Sequence, residues 1–127
     1  MRLLMSLCFV AVSCVTWAQG SLKCEFTAKG CCLWCEDRIV ASLDVRGVRA
    51  AEWDRFNEKA VVVYKPKKIS EERIQQFVAE AGHDTDLFTA PDEVYNGLAA
   101  CCLYRTGCGG CSENEKHTDH DQDEDRR

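Results

Sequence analysis

Three of the six residues in Gly30-Cys31-Cys32-Leu33-Trp34-Cys35 are cysteines, and no other stretch constrains the chain as strongly. Cys32 and Cys35 form a C-x-x-C pair at the point where a strand-like run gives way to a helix-like one. Two thiolates on a tight turn, the second in the positive first turn of a helix, suit a soft metal ion. Copper(I) and mercury(II) accept two thiolates in near-linear geometry, so one turn is sufficient. Cys32 and Cys35 are therefore the expected ligands, on an exposed, shallow site that allows exchange with a partner. Copper(I) is the first choice of ion, with mercury(II) or zinc as alternatives. The rival reading is a Cys32–Cys35 disulfide, and a bound metal and a transient bridge can alternate on the same pair.

The other cysteines take their meaning from the compartment. Residues 1–18 read as a secretory signal peptide: Arg2 supplies a basic start, Leu3 to Val15 is almost wholly apolar, and Thr16-Trp17-Ala18 offers small residues at a cleavage site. The apolar run is short for a membrane span, and no other run approaches one, so no span is expected after cleavage. A lipid anchor on Cys14 is the alternative. Of 10 cysteines, eight lie beyond this segment: Cys24, Cys31, Cys32, Cys35, Cys101, Cys102, Cys108 and Cys111. Outside the cytosol the default for eight cysteines is disulfides. Clustering argues otherwise, because adjacent and C-x-x-C thiols are a metal or redox signal more than a stapling one. Losing Arg2 takes the formal charge of −5 to about −6, which makes nucleic acid a poor partner.

Beyond the leader, residues 21–90 read as one domain. Leu22 to Thr27 alternates as a strand does, with Leu22, Cys24 and Phe26 on one side. From Trp34 to Asp44 the period becomes helical, with Ile39, Val40 and Leu43 as the apolar stripe and Glu36 and Asp37 in the first turn; Gly47 stops it. Val48 to Trp53 and Ala60 to Tyr64 form a hairpin, with Val48, Ala51, Trp53, Ala60, Val62 and Tyr64 facing inward. Ser70 caps a second helix whose buried face is Ile74, Phe77, Val78 and Ala81, and Gly82 ends it. Asp86 to Thr89 reads as a short fourth strand, with Leu87 and Phe88 available for burial. The order is β-α-β-β-α-β, and the economical architecture is an α+β, ferredoxin-like sandwich of two helices on one sheet face. Residues 91–111 form a cysteine-containing extension, with a helix over Pro91 to about Ala100 that puts Val94, Tyr95 and Leu98 on one face. Residues 112–127 are acidic and without an apolar side chain, so they read as disordered.

The run Gly30-x-Cys32-x-x-Cys35-x-x-x-Ile39-x-x-x-Leu43-x-x-x-Gly47-Val48, followed by Ala60-x-Val62-x-Tyr64, resembles the heavy-metal-associated domain. That family includes copper chaperones, the N-terminal modules of copper-transporting P-type ATPases and the periplasmic mercury-binding protein. The resemblance covers residues 22–90. It implies metal ligation at Cys32 and Cys35, and a metal acceptor such as a copper-transporting ATPase or an efflux component as partner. The continuation Ala81-Gly82-His83-Asp84-Thr85, then Tyr95-x-x-Leu98-x-x-Cys101-Cys102-x-Tyr104-Arg105, is similar to an exported bacterial subgroup and implies a periplasmic location. Two departures stand out. Gly30-Cys31 replaces the Met-Thr or Met-His that commonly precedes the first ligand, and Cys31 adds a third thiol beside the usual two.

Five further features bear on the site. In a ferredoxin-like sheet the fourth strand starts near the end of the first, which puts His83 close to Cys32 as a hydrogen-bond donor, a third ligand or an exposed residue. A fourth strand of some five residues runs away by about 15 Å, and a helix of about ten residues returns roughly as far. Cys101 and Cys102 then arrive near the C-x-x-C turn, either as added thiolates in a three- or four-sulfur site or as one half of a bridge to Cys24 or another cysteine. Cys108 and Cys111 form a second C-x-x-C without a helix behind it, able to bind metal or to close a small disulfide. His117 and His120 lie among acids and read as part of a solvated tail, with weak copper(II) or zinc binding as the alternative. Trp34 is similar to the tryptophan of thioredoxin sites but lies within the pair rather than before it, so thiol–disulfide exchange is the alternative from another functional class. As a simpler role it forms a partly exposed apolar lip over the ion. No hydrolytic constellation is visible, and an enzyme is not expected.

Overall fold

A computed structural model of the protein describes residues 20–108. The expectations for the leader, for Cys111 and for the tail lie outside them. Strand β1 spans Leu22–Thr27, helix α1 Leu33–Ser42, β2 Val48–Asp54, β3 Lys59–Tyr64, α2 Glu71–Glu80 and α3 Asp92–Asn96. Two short 3-10 turns follow, Ala100–Cys102 and Tyr104–Thr106. None of the described helices is long and apolar enough to cross a membrane.

The strands lie in the order β1-β3-β2, both pairs antiparallel. β3 is the central strand because its alternation is complete: Ala60, Val62 and Tyr64 are all buried. On β1, Cys24 and Phe26 face the same core, while Leu22 at the strand start is exposed. In β2 a register irregularity between Val48 and Ala50 leaves Trp53 as the buried anchor. α1 and α2 cover this face with Ile39, Ile74 and Val78, all fully buried. Each such side chain contributes about 1.5–3 kcal/mol by leaving water. Ser70 caps α2 as its sequence requires, its Oγ accepting from the Arg73 N–H at 3.1 Å. Phe77 and Ala81 of the expected buried face are only half-buried, and Gln75 and Ala79 are buried in their place.

The architecture is the expected α+β sandwich, but its fourth strand is reduced to one bridge, Ala28 to Thr85. The chain does run beside the end of β1 there: the Lys29 N–H donates to the Asp84 carbonyl at 2.8 Å. It then leaves. Asp86 accepts the Thr27 N–H with its side chain, at 2.9 Å, where a strand would have offered a carbonyl. A turn closes between Thr85 and Phe88, and Leu87 stays exposed. The expected ten-residue helix of the extension is likewise only five residues, Asp92–Asn96. Beyond it the chain turns tightly and packs Tyr95, Leu98 and Cys102 onto the core.

Candidate metal centre

Cys32 is the residue before α1. Its backbone is extended, at φ −143° and ψ 176°, and its side chain makes no capping hydrogen bond. The thiol is thus left to face other sulfurs, while its carbonyl accepts the Glu36 N–H at 3.1 Å. Cys35 sits in the first helical turn and accepts the Cys31 N–H at 3.3 Å. The preceding turn depends on Gly30. A Cβ there would lie 2.9 Å from the Cys35 Cβ and 2.9 Å from the Trp53 ring. That ring is fixed, because its indole N–H donates to the Ala28 carbonyl at 2.9 Å in a buried bond.

The sulfurs of Cys32 and Cys35 are 3.7 Å apart. The extension adds to them: the Cys102 Sγ lies 3.5 Å and the Cys101 Sγ 3.6 Å from the Cys32 Sγ. Among the described residues, Cys32, Cys35 and Cys102 converge, their sulfurs all within 4.8 Å of one another. Relative exposures of 4%, 0% and 2% make this an enclosed site rather than the shallow, exposed one expected from a bare turn. Trp34, half-buried, lines a cleft of about 260 Å³ with Leu98, Ala99 and Cys102.

Cys31, a candidate ligand by sequence, is disulfide-bonded to Cys108 across a Cα–Cα distance of 5.4 Å. A sulfur in a bridge has no thiolate to offer, so Cys31 leaves the candidate set in this state. The bridge also takes Cys108 out of the expected second C-x-x-C. Cys24 is reduced and buried in mid-β1, so it does not pin the extension. Burial pushes its thiol up to about 11.

His83 is fully buried, not exposed. Its Nδ1 lies 2.7 Å from the Lys29 carbonyl, which only accepts, so Nδ1 carries the proton and Nε2 the bare lone pair. Nε2 has no hydrogen-bond partner. The ring stacks on Tyr104 with centroids 5.6 Å apart. It lies outside the converging sulfur set but close enough to Cys35 for the two to interact electrostatically. Burial holds the imidazole below its ordinary value, and therefore neutral.

The three thiols do not ionise alike. Donation from Cys102 pulls the Cys35 thiol well down, against the effect of burial and with help from the N–H groups of Cys31 and Cys32. Cys102 is pushed up by giving that hydrogen bond, and Cys32 is pushed up by burial. Of the three, Cys35 is the thiol whose surroundings favour the thiolate, and a cation that displaces the thiol protons at such a site gains anionic donors.

A clamp that the sequence reading did not assign holds the extension in place. The Tyr104 hydroxyl donates to the Gly82 carbonyl at 2.7 Å and accepts the Asp84 N–H at 2.8 Å. Gly82 adopts φ +110° against the Leu98 side chain, a position suited to glycine alone. Arg105 forks onto Asp84 at 2.7 and 3.1 Å and reaches Asp92 at 2.9 Å. It also lies 4.1 Å over the Tyr95 ring. Burial is the largest single influence on the Asp84 carboxyl and raises it, but donation from Arg105 and from the Ala90 N–H, together with the Arg105 charge, outweighs burial and holds the group below its ordinary value. Tyr104-Arg105 were visible as part of a resemblance. So were Gly82 and Asp84, but their pairing with Tyr104 and Arg105 was not, because nothing in the local pattern links segments some twenty residues apart.

These features define a ferredoxin-like α+β domain with a buried thiol cluster at the start of its first helix. No family model matches the sequence, and no curated protein matches it significantly. Solved structures do match. The N-terminal domain of a potential copper-translocating P-type ATPase from Bacillus subtilis, in the Cu(I)-loaded state, is 28% identical with a TM-score of 0.50, over 59% of this chain and 96% of that one. The putative copper-ion-binding protein from Bacillus anthracis str. Ames gives 15% identity and 0.51, over 54% and 100%. Oxidized MerP from Ralstonia metallidurans CH34 gives 20% and 0.50, over 53% and 96%. The fold of this chain is that of the heavy-metal-associated domain.

Proposed function

We propose that the protein captures a soft metal ion, copper(I) in the first place, through the Cys32–Cys35 thiolate pair, and passes it to an acceptor by thiolate exchange or buffers it. The observation that carries this reading is the convergence of reduced, buried thiols at the start of α1. Copper(I) is favoured over mercury(II) because the 28% identical neighbour is a Cu(I)-loaded domain. That neighbour also supports a copper-transporting ATPase or an efflux component as acceptor. The protein acts as a carrier, not an enzyme. It works outside the cytosol, in a periplasm, a location supported by the signal-like residues 1–18 and by the Cys31–Cys108 bridge, a bond that persists in oxidising compartments.

The test is to purify the exported protein from copper-supplemented cells, measure metal per chain by mass spectrometry and count reactive thiols. Stoichiometric copper that disappears in Cys32→Ser supports the reading. Metal-free protein with a reducible Cys32–Cys35 bridge and insulin-reductase activity overturns it in favour of a redox role.

A further inference from the structure

We infer that Cys102 is a third thiolate ligand, and that the segment 91–108 is a strapped lid closing the ion into a trigonal, three-sulfur site. The inference rests on metal capture at Cys32 and Cys35 and extends it. The distances decide between two and three sulfurs. With metal–sulfur bonds near 2.3 Å, a linear ion holds its two sulfurs about 4.6 Å apart, and a trigonal ion holds its three about 4 Å apart. Cys32 and Cys35 stand 3.7 Å apart and Cys32 and Cys102 stand 3.5 Å apart. With all three sulfurs inside 4.8 Å, the set needs only a slight expansion to surround one ion. Cys101 touches Cys32 at 3.6 Å but does not converge with Cys35 and Cys102, so the site has three sulfurs rather than four.

The lid follows from burial. With exposures of 4%, 0% and 2%, the three sulfurs present no open face to an incoming thiolate. An acceptor reaches the ion only when the extension moves. Three attachments oppose that movement: the Cys31–Cys108 bridge, the Tyr104 hydroxyl between Gly82 and Asp84, and the Arg105 fork on Asp84. The first of these joins the lid to the residue immediately before the first ligand. The closed arrangement holds the ion more tightly than a bare C-x-x-C turn and releases it more slowly.

The test uses the full chain loaded with copper(I) under anaerobic conditions. X-ray absorption at the copper edge counts sulfur neighbours, and a chromophoric copper(I) chelator measures affinity and the rate of release. Three sulfurs in the unaltered chain are expected. Cys102→Ser should give two, with affinity lower by more than the roughly 100-fold that loss of an outer-shell partner costs at most. Cys101→Ser should leave the count unchanged. The double variant Cys31→Ser/Cys108→Ser, which keeps all three ligands, should release copper to the chelator faster. Two sulfurs in the unaltered chain, or an affinity untouched by Cys102→Ser, overturns the inference while leaving capture by Cys32 and Cys35 intact. An unaltered chain that takes up no copper(I) overturns both. Because the sulfur count is made on the unaltered chain, it does not depend on how well the Cys102 variant folds.

Discussion

At the scale of single residues the site is built as much by an absence as by its sulfurs. Gly30 has no Cβ, and the chain therefore passes between the Cys35 Cβ and the Trp53 ring. Gly30→Ala should cost about 1–3 kcal/mol, the range for overpacking a filled interior, because the ring is held by its bond to Ala28. Urea unfolding measures the loss, and copper retention should fall with it as Cys35 is pushed off the turn. The C-x-x-C pair and the helix behind it were legible from residue types and spacing, whereas the expectation for His83 came from the sheet topology. The fate of Cys31 was not. Its partner is 77 residues away, and such a pairing is fixed by where the extension returns rather than by any local pattern. The protonation of His83 was equally invisible, since it is set by a single carbonyl, that of Lys29.

Elements with complete periodicity were readable, and those that depend on distant side chains were not. β1, β3 and α2 fall where alternation and the Ser70 cap place them. The fourth strand fails because Asp86 answers β1 with a carboxylate and the Thr85–Phe88 turn bends the chain away. The helix of the extension stops at Asn96, yet the extension still returns to the first helix, now held by Tyr104 and Arg105. This clamp carries a pH dependence. The folded Asp84 carboxyl lies below its ordinary value of 3.8. Its contribution is therefore complete above that value and vanishes as pH falls through the folded one. Acid should loosen the extension, seen as altered Tyr95 and Tyr104 ring signals in NMR spectra, and Asp84→Asn should produce the same change at neutral pH. Unchanged tyrosine signals in that variant would show that the clamp does not hold the lid.

For the whole molecule, cargo and stability are linked. An ion that binds only the folded chain adds about 2.7 kcal/mol at a free concentration 100 times its dissociation constant. Copper(I) should therefore raise the thermal midpoint, a strong chelator should reverse the rise, and Cys32→Ser should be insensitive to both; calorimetry of the three samples checks this. The Cys31–Cys108 bridge adds its own term by restricting the unfolded chain, about 4.5 kcal/mol for a loop of this length in the chain-entropy account. It also makes the described fold nearly a covalent ring. A protease that cuts one loop between Cys35 and Cys101 leaves both fragments in one molecule. Cys32 and Cys35 stay on one fragment and Cys102 on the other, joined through sulfur. The nicked protein would run as a single species until reduced, with its metal-binding halves still tethered to each other.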